Sequence, residues 1–129
     1  MKYTEITGTI IGASMEVHNA LGGGFQEVIY QRALAYEFSL RNLSYAREFE
    51  MEIFYKTLHV GTRRVDFLVE GAISLEIKAV VELEPVHFTQ AINYLEAYNL
   101  ETGLLINFGG QKLELKRLYN NKFKPLIRS

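Results

Sequence analysis

In the stretch RVDFLVEGAISLEIKAV, Arg64 to Val80, the charges Asp66, Glu76 and Lys78 interrupt what otherwise reads as two core strands. A carboxylate moved from water into apolar surroundings must be paired, hydrogen-bonded or bound to a metal ion, because its desolvation is otherwise uncompensated. Two carboxylates and an ammonium held close together have two uses. They can form a plain cross-strand ion pair, Lys78 to Asp66, on a solvated sheet. Alternatively they can form a site in which oxygen ligands and a cationic amine converge. These three residues alone leave both readings open.

The strands that must position them are legible from side-chain alternation. Val65, Phe67 and Val69 are expected on one face of a strand at about Arg63 to Val69, with Arg64, Asp66 and Leu68 on the other. In the next strand, about Ile73 to Val80, Leu75, Ile77 and Ala79 oppose Ser74, Glu76 and Lys78. Glu70-Gly71 reads as a tight hairpin turn, which puts the Asp66 face and the Glu76/Lys78 face on the same side. At standard rise Glu76 and Lys78 stand about 6.6–6.8 Å apart along the strand.

The rest of the chain supplies helices and further strands. Ile6, Ile10, Ala13, Val17 and Leu21 recur at helical spacing and predict a helix from Thr4 to Leu21, closed by Gly22-Gly23-Gly24. Tyr30, Leu34 and Phe38 mark a second helix, about Gln26 to Arg41. From Tyr45 to Tyr55, Phe49, Met51 and Ile53 alternate with Glu48, Glu50 and Glu52, a half-exposed strand. Pro85 suits the first turn of a third helix that runs to about Asn99, with Phe88, Ile92 and Leu95 inward. LLINF is a buried strand, and Lys112 to Leu118 a last one. The order α-α-β-β-β-α-β-β predicts an α/β (α+β) fold with helices on a mixed sheet.

Composition bounds the function. The 129 residues suit one domain, 1–129, with a real core. The absence of cysteine excludes disulfides, thiolate metal sites and a Cys nucleophile, and fits a reducing, cytoplasmic setting. No apolar run is long enough to span a membrane. A net charge of −1 argues against a strongly basic nucleic-acid binder. The charge is uneven, however. Lys112, Lys116, Arg117, Lys122, Lys124 and Arg128 crowd the C-terminal segment, either as phosphate contacts or as a solubilising surface.

Asp66 followed by Glu76-Ile77-Lys78 on adjoining strands resembles the D…ExK core of the PD-(D/E)XK nuclease superfamily, with its restriction-endonuclease-like fold. GFQEVIY, through Gly24, Glu27 and Tyr30, resembles the signature of a small bacterial and archaeal branch known as GxxExxY proteins. VHFTQAINYL is similar to that branch's helix after the ExK strand, with Gln90 at its glutamine position, and LLINF to the strand that follows. The resemblance covers roughly Ile6 to Leu118, with the motifs in order.

The resemblance implies an Mg²⁺- or Mn²⁺-dependent nuclease acting on DNA or RNA. Asp66 and Glu76 would be direct metal ligands, with the Ile77 carbonyl as a third. Lys78 would stabilise the phosphate and orient the attacking water. Glu27 would approach through a water or a second metal, and Gln90 would orient the water or the phosphate. Each has a plainer alternative: Glu27 at a helix N-terminus, Gln90 as a solvated helix residue. Tyr30 is expected as core packing with a tethered hydroxyl, and His87 as a surface residue. The other functional class is a non-catalytic binding or regulatory module that kept the fold. A homodimer would enlarge the nucleic-acid surface.

Overall fold

The computed structural model describes residues 2–125; Arg128, part of the basic C-terminal segment, lies outside them. The elements are α1 (Tyr3–Leu21), α2 (Glu27–Leu40), β1 (Tyr45–Tyr55), β2 (Leu58–Val69), β3 (Ile73–Lys78), α3 (Pro85–Ala97), β4 (Thr102–Asn107) and β5 (Glu114–Tyr119). This is the order expected from the sequence. The strands form one sheet in the order β1-β2-β3-β4-β5, antiparallel throughout except for the parallel pair β3/β4. That pair is parallel because α3 is the crossover between them, as a parallel connection requires.

Two apolar layers enclose the sheet. Ile6, Ile10, Ala13 and Val17 of α1 and Tyr30, Leu34 and Phe38 of α2 pack against Phe67, Val69, Leu75, Ile77, Leu104 and Ile106. On the opposite face Ala91, Tyr94 and Leu95 of α3 pack against Met51, Val65, Leu68, Leu105 and Leu118. β3 and β4 are buried along nearly their whole length, as strands covered on both faces must be.

Several boundaries differ from the expected ones. β2 begins at Leu58 rather than Arg63, so it pairs with β1 over almost its full length. β3 stops at Lys78 instead of Val80, because the Val80 N–H donates to Asn107 Oδ1 (2.9 Å) and leaves the ladder. α3 ends at Ala97 rather than Asn99, whose φ of 49° is left-handed. β5 begins at Glu114 rather than Lys112, and Glu114 accepts from the Leu83 N–H. The turn at Glu70-Gly71 is as expected: both residues have positive φ, 53° and 63°.

The expected faces of β2 hold only from Phe67 onward. Val65 packs with Leu68 on the α3 side, whereas Phe67 and Val69 pack on the other. Alternation therefore breaks at Asp66. It breaks on β1 at the same level, where Glu48 has a φ of 52° and the regular Arg47–Phe67 and Phe49–Val65 pairs flank it. A local kink in both strands re-aims their side chains, as bulge-like irregularities do beside functional sites.

Candidate active site

The kink lies where β2 and β3 part. Their ladder pairs only Phe67–Leu75, Leu68–Ser74 and Val69–Ile73. Beyond it, side chains replace the missing backbone bonds. The Ile77 N–H donates to Asp66 Oδ2 (2.8 Å), and the Asp66 N–H donates to Glu76 Oε1 (3.3 Å). Each carboxylate thus satisfies the opposite strand's backbone, and both are drawn to one point. An extended residue directs its N–H and C=O to the same strand edge, so the Ile77 carbonyl faces the same gap.

Two elements of α2 complete one wall. Gln31, buried, donates from Nε2 to Asp66 Oδ1 (2.9 Å). Glu27, one turn earlier, is the first residue of the helix. Tyr30 explains the spacing of the glycines before them. It is fully buried, its hydroxyl donates to the Gly22 carbonyl (2.6 Å), and the Phe25 N–H donates back to that hydroxyl (3.2 Å). Gly22 and Gly24 have φ of 71° and 102°, which glycine adopts without strain. The loop is therefore tied down immediately before Glu27, and Tyr30 plays the tethered core role expected of it.

The electrostatics mark this point as a single coupled site. Burial first, and then the neighbouring Asp66 carboxylate, push the Glu76 carboxyl up to about 8. The Asp66 N–H and Lys78 oppose that rise without cancelling it. Burial also raises the Asp66 carboxyl, against the hydrogen bonds from Ile77 and Gln31 and the charge of Lys78. Glu27 is raised by lost hydration and then by Asp66, with Lys78 opposing. Glu27, Asp66, Glu76 and Lys78 all lie within each other's fields.

Lys78 is half-buried, and among the described residues no ion pair joins it to either carboxylate. The cross-strand Lys78–Asp66 bridge, the plainer alternative, is not formed. Burial and a like charge make ionisation of Glu76 unfavourable, and a divalent cation between the two carboxyls would reverse that by favouring both carboxylates. The donors are hard oxygens, and Mg²⁺ takes one or two carboxylates and otherwise keeps its waters. Asp66 and Glu76 fit that demand. Among the described residues no group of three or more His, Asp or Glu side chains is gathered into a metal cage.

The other expected site residues are placed less closely. Gln90 is half-buried on α3, and no hydrogen bond links it to the carboxylates. It stands one turn before Tyr94, whose hydroxyl donates to the Arg64 carbonyl (3.2 Å) and is held un-ionised by burial and then by Glu76. His87 is not a free surface histidine: its Nδ1 accepts from the Glu84 N–H (3.0 Å) in a capping box of α3. The C-terminal cations are dispersed. Arg117 reaches Thr7 of α1, Lys122 pairs with Glu96 of α3 (3.1 Å), and the Lys124 N–H bonds Asn99. Lys116 belongs to β5, and Lys112 to the turn before it.

Two residues were not anticipated. Gln31 shares a helix stripe with Glu27, Leu34 and Phe38, and its polar amide at an inward position was the available signal. Asn107 is fully buried. It accepts at Oδ1 from the Val80 and Gly109 N–H groups, and Nδ2 donates to the Val80 carbonyl and Glu114. It pairs with Lys78 across β3/β4 and fixes the chain where that side chain emerges. Nothing in LLINF distinguishes it from an ordinary strand-end polar residue.

The family model of the PD-(D/E)XK nuclease superfamily matches residues 4–118, and the chain belongs to that superfamily. Its fold is similar to the crystal structure of SSO0001, over 73% of this chain with a TM-score of 0.58 and 19% identity. The match covers 50% of that protein, so this chain corresponds to about half its length. No curated protein matches the sequence. Among the described residues no helix is long and apolar enough to cross a membrane.

Proposed function

We propose that the chain is a divalent-metal-dependent nuclease that hydrolyses phosphodiester bonds of DNA or RNA. The observation that carries this reading is the exchange at the parting of β2 and β3. Asp66 and Glu76 are held against each other by the opposite strand's backbone, beside the Lys78 ammonium, which forms no ion pair among the described residues.

Asp66 and Glu76 would hold Mg²⁺ or Mn²⁺, with the Ile77 carbonyl beside them and Glu27 reaching from the rim. When bound, such an ion polarises a phosphoryl oxygen and makes water more acidic. Hydrolysis joins the water oxygen to phosphorus, breaks the bond to the leaving oxygen and delivers a proton to that oxygen. Lys78 offsets the negative charge that grows on the phosphoryl oxygens and orients the attacking water. Gln31 and the Ile77 N–H fix the Asp66 carboxylate, so its remaining lone pairs keep one direction. Gln90, on the α3 side, would contact the phosphate or the water only with substrate present.

Purified protein with Mg²⁺ or Mn²⁺ should cut some nucleic acid among single-stranded, branched, duplex and RNA substrates. Asp66→Ala and Lys78→Ala should each abolish cutting without unfolding the protein. Cutting that survives both substitutions, or excess EDTA, would exclude this site as its source.

A further inference from the structure

Three loops meet at the end of the sheet where Lys78 emerges: Gly22 to Gln26, Val80 to Glu84, and Phe108 to Leu113. They are packed backbone to backbone. A Cβ on Gly23 would lie 2.8 Å from the Gly109 carbonyl oxygen, and one on Gly109 would lie 2.3 Å from that of Val80. Apolar side chains of these loops and of the first turn of α2 are open to solvent: Phe25 is 49% exposed, Val28 38% and Val81 89%. Phe25 sits two residues before Glu27, and Val81 three after Lys78.

Phe25 is also the outer member of an aromatic series. Its ring meets Tyr30 nearly edge-on at 6.2 Å, and Tyr30 stacks on Phe108 at 4.9 Å. Tyr30 and Phe108 are fully buried, whereas half of Phe25 is open to solvent. The inner two rings hold the outer one in place, so a ligand stacking there would immobilise little that is not already fixed.

The charge around these loops is wrong for a phosphate-tracking duplex binder. The loops and the adjoining α2 N-terminus carry Glu27, Glu82 and Glu84 against the cations Lys78 and Lys112, so they hold no net positive charge, and Arg117 and Lys122 are engaged with α1 and α3. Duplex affinity comes largely from many neutralised phosphates. Binding to single strands adds base stacking on aromatic side chains, which tolerates any sequence.

We propose that Phe25 is a stacking platform for an unpaired nucleobase, and that the substrate is single-stranded nucleic acid. This rests on the nuclease reading above. The chain has no tryptophan, so Phe25→Trp places a unique fluorophore on the platform. With Ca²⁺ as the cation, and strand integrity checked on a gel, a short single-stranded oligonucleotide should quench that fluorescence on binding. An abasic strand of equal length should bind more weakly and quench little, and so should the matching duplex. Phe25→Ala should weaken single-strand binding about 5- to 150-fold while leaving duplex affinity unchanged. Phe25→Leu, which keeps an apolar contact with Tyr30, should behave the same way if Phe25→Ala proves unstable. Equal binding of normal and abasic strands, or single-strand affinity unchanged in both variants, overturns the platform and leaves cleavage through Asp66 and Lys78 standing. Failure of every strand to bind overturns both readings.

Discussion

In metal-free protein the crowded carboxylates make stability fall as pH rises, and Glu76→Gln tests this directly. The Glu76 carboxyl is pushed from 4.5 to about 8 in the fold. Between those values the native state holds a proton that the unfolded chain has released. Stability therefore declines with rising pH across that interval, opposite to the behaviour of a carboxylate that gains a cationic partner. Each unit of displacement corresponds to about 1.4 kcal/mol, so the loss between pH 5 and 8 should reach about 3–5 kcal/mol. For a chain of this size each kcal/mol moves Tm by roughly 3–5 °C. Asp66 and Glu27 are displaced in the same direction, so the informative quantity is the difference between wild type and Glu76→Gln. Thermal melts in EDTA from pH 5 to 8 should give a difference that grows in favour of the variant. Mn²⁺ should restore the wild type at pH 8, with proton uptake by the buffer, and rescue the variant less. Parallel curves for the two proteins would refute the reasoning.

Further outcomes follow from individual contacts. Glu27→Gln should leave the metal-free Tm level or slightly higher and reduce the Mn²⁺-induced rise; a uniform drop of about 0.3–1 kcal/mol at all Mn²⁺ concentrations would assign Glu27 to the helix end alone. Tyr30→Phe should cost about 1–3 kcal/mol in urea melts, because it strands the Gly22 carbonyl and the Phe25 N–H together; a change below the error of the melt would deny the tether. Lys122 and Lys124 lie at the C-terminal end of α3, so replacing both by Gln should leave the salt slope of nucleic-acid binding unchanged; a slope flatter by about 0.9 per residue replaced would return them to the binding surface.

The element order was readable because apolar periodicity changed sharply between helices and strands, and because glycine and proline punctuated the changes. Ile6, Ile10, Ala13 and Val17 are all buried at the spacing that predicted them. The meeting of Asp66 with Glu76 was legible from the hairpin at Gly71. Its mechanism was not. Alternation assumes an unbroken pleat, and the kink at Glu48 and Asp66 breaks it, so Val65 landed on the opposite face from the one expected. A left-handed glutamate gives no signal in composition or period. Gln31 and Asn107 were missed for a related reason. Their importance lies in long-range hydrogen bonds, to Asp66 and to Val80, which only the folded chain brings within reach. The C-terminal cations show the reverse case. They are neighbours in sequence, but the strand's alternation and the turn after it scatter them over the molecule.

On the proposed reading, Asp66 and Glu76 together hold the cation that makes this site work. Crystals soaked in Mn²⁺ test it most directly, through anomalous scattering at the parting of β2 and β3. One ordered ion should be bonded to an oxygen of each carboxylate and be absent from crystals of Asp66→Ala. No ordered ion at those carboxylates in well-diffracting, fully soaked crystals, or an ion bound equally well without Asp66, would contradict it.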